Sequence, residues 1–153
     1  MPFSLIRFNL IDPTLDSQSL SDRYKAMLDM AEFADQNGFF MATFEEHHGA
    51  DNAWSPTPLM NAGTVLARTT TLSASISALL LPLHDPIRVA EDIAVIDLMS
   101  GGRLTVIFGL GYRPSEYQLM GKDWDNRGKI MDESIQALLD AWTGEPFQYK
   151  GET

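Results

Sequence analysis

An α/β fold built on a parallel sheet is what this chain predicts, and three observations predict it. Apolar β-prone runs recur four times, each is followed by a loop and an amphipathic stretch, and a glycine or turn then returns the chain to the next run. Strands that alternate with helices lie side by side and parallel, because each helix carries the chain back along the sheet.

The first strand is expected at about residues 3–9. Its helix opens near Ser19, whose hydroxyl can cap the first turn with Asp22 three residues on. Tyr24, Met27, Leu28, Ala31 and Ala34 follow the three-and-four spacing of a buried helical face, and Gly38 supplies a positive-φ exit. The second strand, residues 39–44, delivers Glu45, Glu46, His47 and His48 at its C-terminal end. A polar loop through Asp51 and Trp54 leads to a helix starting at Thr57-Pro58, where the missing proline N–H costs nothing. The third strand, residues 72–80, sets Ile76, Ala78 and Leu80 on one side and Ser73, Ser75 and Ser77 on the other. So small a row lets a flat ligand approach the backbone, or simply packs.

Asp85-Pro86 reads as cap and first residue of a helix through Ile87, Ala90, Ala94 and Leu98, closed by Gly101-Gly102. The fourth strand, residues 104–108, ends in Gly109-Leu110-Gly111-Tyr112. A last helix from about Asp125 is expected to bury Met131, Ile135, Leu138, Leu139 and Trp142 before Gly144 and Pro146 stop it. No repeat, low-complexity tract or long linker interrupts the series, which makes residues 1–153 a single domain. Residues 149–153 read as part of a connection.

Composition narrows the function. The 153 residues are 44% hydrophobic and 21% charged, enough apolar material for a core. Eleven basic against 21 acidic residues give a net charge of −10, which repels nucleic acid and anionic membranes. Without cysteine there is neither a disulfide nor thiolate chemistry, which suits a reducing cytoplasm. The longest apolar run, residues 76–83, is broken by Ser77 and Pro82 and is too short to span a bilayer.

In parallel α/β architectures ligands bind beyond the C-terminal strand ends, and those loops hold all three histidines. Imidazole moves protons near neutral pH, and an adjacent carboxylate can fix its tautomer. Glu46 beside His47 and Asp85 beside His84 are candidate pairings. Adjacent residues of an extended strand face opposite ways, so only one of His47 and His48 should face the interior. Taken alone, EEHH fits a structural, an acid–base or a metal-binding role. No spacing matches a metal motif, so no metal site is expected. Gly109-x-Gly111 lacks the third glycine of a dinucleotide loop, since Pro114 stands there, and reads as a tight turn. His84 suits either helix-start hydrogen bonding or substrate contact. Tyr112, Glu116 and Tyr117 line the mouth or pack.

FEEHHG at 44–49, LLPLHDP at 80–86, DLMSGGR at 97–103 and GYRPSEYQLMG at 111–121 together resemble the bacterial-luciferase-like flavin-dependent monooxygenases. The resemblance runs over nearly the whole chain. It implies parallel (β/α) units of a TIM barrel, about four strand-helix units forming the N-terminal half of a (β/α)8 barrel. It implies reduced FMN, delivered by a flavin reductase, and dioxygen acting on a small-molecule substrate such as an aldehyde. His47 matches the first histidine of the family's pair, the acid–base group, with Glu46 beside it. Ser77-Ala78 matches the non-prolyl cis peptide that supports the flavin, with Gly109 and Leu110 close by. His48, His84 and Tyr112 are candidate substrate contacts, and Arg103 is a structural residue expected to neutralise a nearby carboxylate.

Light-producing members carry a cysteine and an arginine where Gly109 and Leu110 stand, so no light emission is expected. A reduced-deazaflavin oxidoreductase is the alternative within the superfamily. Such barrels hold the cofactor phosphate with loops after strands seven and eight, so this chain alone is expected to hold flavin weakly. The other alternative is a non-catalytic module that self-associates, as a homo-oligomer or with a complementary half-barrel. Its inner face would carry Ile76, Ala78, Val106 and Phe108 and need covering.

Overall fold

All four strands pair in parallel and in sequence order, β1 (Leu5–Phe8), β2 (Met41–Phe44), β3 (Ser73–Leu79) and β4 (Leu104–Phe108), in a computed structural model that describes residues 3–151. Between and after them run α1 (Ser17–Gln36), α2 (Pro58–Arg68), α3 (Pro86–Ser100), α4 (Pro114–Met120) and α5 (Arg127–Ala141). The order never reverses, as it would at the switch point of a doubly wound sheet. The expected connection at 149–153 extends past the described residues.

The core shows which sheet face the helices cover. Phe8, Ala42, Phe44, Ala74 and Ile76 join Met27, Ala31, Ala62, Val65, Val89, Ala90, Met131 and Leu138 in one buried cluster, with Val106 and Phe108 packed against it. Register explains the set: Phe8 pairs with Phe44, Phe44 with Ile76 and Ile76 with Val106, so these side chains share one face. The opposite face carries Leu5, Arg7, Thr43, Ser75, Thr105 and Ile107, of which Leu5 is 56% and Ile107 53% exposed. The expectation for Ile76, Val106 and Phe108 is therefore reversed. They are covered by helices, and the small and polar row is the open one. Helices on a single face are the arrangement of (β/α) barrel units.

Element boundaries follow local chemistry. The carboxylate of Asp16, not the hydroxyl of Ser19, caps α1 by accepting from the Ser19 N–H at 2.8 Å, because the Ser19 hydroxyl donates to Asp12. Pro58 and Pro86 open α2 and α3 as expected, and Gly101 closes α3 in the left-handed region. A 3-10 turn at Leu81–Leu83 and the short α4 are both additions to the sequence reading. The buried faces of the last two long helices shift too. Leu98 is 82% exposed, and Leu139 and Trp142 are half-exposed, while Val89, Ile96, Ile130 and Ala137 are buried. Arg103 is structural, but its partners among the described residues are carbonyls and a hydroxyl in place of the expected carboxylate. Its guanidinium donates to the carbonyls of Ser100, Leu72 and Leu66 and to the Thr69 hydroxyl, tying the end of α3 to the start of β3.

Asp35 near the end of α1 staples that helix to β3, accepting from the N–H groups of Thr70, Thr71 and Leu72 and from both threonine hydroxyls. Burial raises its carboxyl, yet these donors outweigh that and hold it well below the usual aspartate value of 3.8. A depressed folded value adds stability above pH 3.8 that is lost as pH falls towards the folded value. Asp35→Asn is thus expected to lower Tm by roughly 3–6 °C at pH 7, the effect of about 1.5 kcal/mol of charged hydrogen bonding after allowance for solvent screening. The difference from wild type should shrink in thermal scans taken towards pH 2.

Candidate functional site

Beyond the C-terminal strand ends lies a cleft of about 450 Å³, lined by Arg7, Glu45, Glu46, His47, Trp54, Ser77, Ala78, Leu80, Gly109, Leu110, Gly111 and Tyr112. Its floor is backbone and small side chains. The Ser77-Ala78 bond there is cis, as the resemblance implied. Opposite it, a Cβ added to Gly109 would stand 2.8 Å from the Ala78 Cβ, so only glycine lets β4 and its loop lie this close to β3. Gly109→Ala is expected to lower stability by about 1–3 kcal/mol through overpacking, whereas Gly128→Ala, whose added Cβ meets nothing within 4 Å, should not. Thermal denaturation of the two variants checks this.

His47 leaves β2 buried, 8% exposed, with its Nδ1 3.0 Å from Glu116 Oε1. Its ring packs on Trp54 at 3.9 Å between centroids, and Tyr112 stands 5.8 Å away edge-on. The loop carrying Trp54 is held by the His47 N–H on the Ser55 carbonyl at 3.0 Å and by the Trp54 Nε1–H on Glu45 at 3.0 Å. Glu116 is 1% exposed and arrives on α4. Its Oε1 also accepts the His48 N–H at 3.0 Å and meets Arg113 Nη1 at 3.5 Å. A carboxylate held in this way fixes the proton of His47 on Nδ1 and leaves Nε2 to give or take one.

Glu46 turns away from His47, so the expected pairing is not formed. Its Oε1 meets His48 Nε2 at 2.8 Å and His84 Nε2 at 2.6 Å, while Oε2 accepts the Leu80 N–H at 2.5 Å. Burial raises the Glu46 carboxyl, but the His48 and His84 hydrogen bonds, the His84 charge and the Leu80 N–H together hold it down at about 2. The hydrogen bond to Glu46 raises His48 against the opposing effect of burial. Asp85 does not pair with His84 either; it caps α3 through the N–H groups of Ile87 and Arg88.

Of the expected site residues, the fold gathers His47, Glu46, Ser77, Ala78, Gly109, Leu110 and Tyr112 around one cleft. His48 and His84, expected as substrate contacts, are absent from its lining. Past the end of β2 the chain turns the His48 ring to Glu46, which also holds the ring of His84, while the His47 ring goes to Glu116. Glu116 is expected from sequence only to line the mouth or pack, and Trp54 only to lie in a polar loop; the pairing of Glu116 with His47 and the packing of Trp54 on its ring are findings of the structure. Glu116 stands 69 positions from its histidine, so no local spacing marks the pair. Tyr117 is fully buried, donates to the Leu110 carbonyl at 2.5 Å and packs edge-on against Trp124, a structural role.

The cleft suits one part of a flavin. A flat floor of backbone and small residues, with apolar Leu80, Leu110, Trp54 and Tyr112 around it, fits an aromatic ring in a site of usual ligand size. Arg7, the cation of that lining, is already paired with Glu45. Among the described residues, those lining the cleft therefore fit the ring and offer its phosphate no cation without an ion-pair partner.

The family model described as luciferase-like monooxygenase matches residues 1–153. The oxygenase component of a flavin-dependent trigonelline monooxygenase from Acinetobacter baylyi is 28% identical, over 99% of this chain and 42% of its own length. An FMNH(2)-dependent dimethylsulfone monooxygenase from Pseudomonas putida is 32% identical, over 80% of this chain and 35% of its own. Among solved structures, monooxygenase RslO1 from Streptomyces bottropensis superposes with a TM-score of 0.87 at 28% identity, covering 99% of this chain and 46% of that one. The chain thus spans less than half the length of these relatives. Among the described residues no helix is long and apolar enough to cross a membrane.

Proposed function

We propose, proceeding from the fact that this chain belongs to the luciferase-like monooxygenase family, that it supplies the flavin-ring half of a monooxygenase site acting with reduced FMN and dioxygen. The substrate is a small organic molecule, an aldehyde or similar, and no light is emitted. The observation that carries this reading is the His47–Glu116 pair opening on a cleft floored by Ser77, Ala78 and Gly109.

Ser77, Ala78, Gly109 and Leu110 would hold the flavin ring, and the bound flavin supplies the activation of dioxygen. The chain's own residues do the rest. His47 Nε2 holds or moves a proton at the cleft, Glu116 keeps that ring in register, and Trp54 and Tyr112 exclude water. Glu46 anchors the two strand ends on which the cleft stands. A separate reductase delivers the flavin, a partner that suits a relative named as an oxygenase component. A second copy or a complementary half-barrel closes over the open sheet face of Leu5 and Ile107. The cytoplasm, reducing and rich in flavin, is the compartment this cysteine-free chain suits.

The test is anaerobic titration of the full chain with reduced FMN, oxidised FMN and reduced deazaflavin, followed by addition of dioxygen and a panel of aldehydes, ketones and sulfones. Binding of reduced FMN with substrate oxidation supports the reading. Binding of deazaflavin alone moves the chain to the deazaflavin oxidoreductases. No flavin binding by any assembled species assigns it a non-catalytic role.

A further inference from the structure

We propose that Glu46, His48 and His84 form a binding site for one divalent metal ion of the zinc class. Glu46 and His48 follow β2 and His84 follows the turn after β3, yet their ligand atoms converge. The two Nε2 atoms stand 2.8 and 2.6 Å from the same carboxylate oxygen, and all three ligand atoms lie within 4.8 Å of one another. Zinc binds imidazole and carboxylate at about 2.0–2.2 Å in tetrahedral sets, which puts neighbouring ligand atoms roughly 3.3 Å apart. Lengthening the two short sides by about half an ångström, with the two imidazole nitrogens, now within 4.8 Å of each other, brought to the same spacing by side-chain torsions, makes room for an ion in place of the two shared protons.

Two features set this cluster apart from a surface acid–histidine contact. Glu46 is 2% exposed, and its second oxygen is fixed by the Leu80 N–H, the kind of outer contact that orients a metal-binding carboxylate. The imidazoles are more open, with the His48 side chain 11% and the His84 side chain 27% exposed, so an ion can enter and a water can complete its shell. Two histidines and a carboxylate with a free position are a ligand set used by zinc and by iron(II). Linear spacing gave no sign of it, because ligands from separate strands have no fixed interval. His47 is not part of the set: the ligand atoms that converge are those of Glu46, His48 and His84, and His47 lines the neighbouring cleft. A bound ion would clamp the ends of β2 and β3 beside the cleft.

Cobalt(II), the spectroscopic substitute for zinc, tests this when titrated into the full chain. One equivalent should bind, give the visible absorption of a low-coordinate ion and be displaced by zinc. His84→Asn keeps a side-chain N–H for Glu46 but removes the imidazole. It should weaken cobalt binding by about 100-fold or more, beyond the effect of losing an outer contact. His47→Ala should leave it within about twofold, since that residue supplies no ligand. Absence of cobalt absorption at one equivalent, or equal affinity in His84→Asn and wild type, overturns the site and leaves Glu46 a hydrogen-bond acceptor only. Zinc should also raise the wild-type Tm and EDTA should reverse the rise; an unchanged Tm overturns the proposal even where a variant does not fold.

Discussion

His47→Ala is expected to lower turnover by about 100- to 10,000-fold, the range lost with a positioned general acid or base, while flavin affinity changes only a few-fold. The histidine is one of twelve residues lining the cleft, its Nδ1 is engaged by Glu116 and its ring packs on Trp54, so its loss removes proton transfer more than it removes binding surface. Steady-state oxidation of an accepted substrate, alongside a flavin titration of the same variant, separates the two. Equal turnover in His47→Ala and wild type contradicts the acid–base role. Parallel loss of turnover and flavin affinity would instead make His47 part of the cofactor's seat.

Glu116→Gln is expected to reduce kcat on the order of 100-fold with KM changed much less, because an amide accepts a hydrogen bond but does not stabilise an imidazolium as a carboxylate does. Glu116 is a positioning residue, acting through His47. Its Oε1 receives the His47 ring and the His48 N–H together, so it fixes both the tautomer and the strand end. Glu116→Ala leaves both donors unpaired and is expected to cost about 1–3 kcal/mol of stability as well. The glutamine variant, with native near-UV circular dichroism, isolates the chemical role: a kcat equal to wild type sinks it.

Most of the scaffold was legible because its signals are local. Pro58 and Pro86 announce helix starts, Gly38 and Gly101 announce exits, and four apolar runs separated by helical stretches dictate a parallel sheet. The cap of α1 was misread because two oxygen-bearing side chains compete there, and tertiary contact with Asp12 decides for Asp16. At seven residues, α4 is too short to show periodicity, yet it delivers Glu116. Face assignment failed for Ile76, Val106 and Phe108 because alternation says which residues share a face, but not which face the helices cover. His47 and His48 do part as expected, but beyond the end of β2, one ring to Glu116 and the other to Glu46. The long-range partners of Glu46 and His47 were beyond reach, since they stand 34 to 69 positions away on elements whose approach only the closed sheet determines.

Nitrogen-15 NMR of the three histidine side chains, recorded on the full chain with and without reduced FMN, addresses the His47–Glu116 pair at a flavin cleft most directly. The arrangement predicts His47 as the Nδ1–H tautomer, with its Nε2 resonance moving when flavin is added and the assignment vanishing in His47→Ala. A His47 that carries its proton on Nε2, or whose Nε2 resonance stays fixed at flavin saturation, would contradict it.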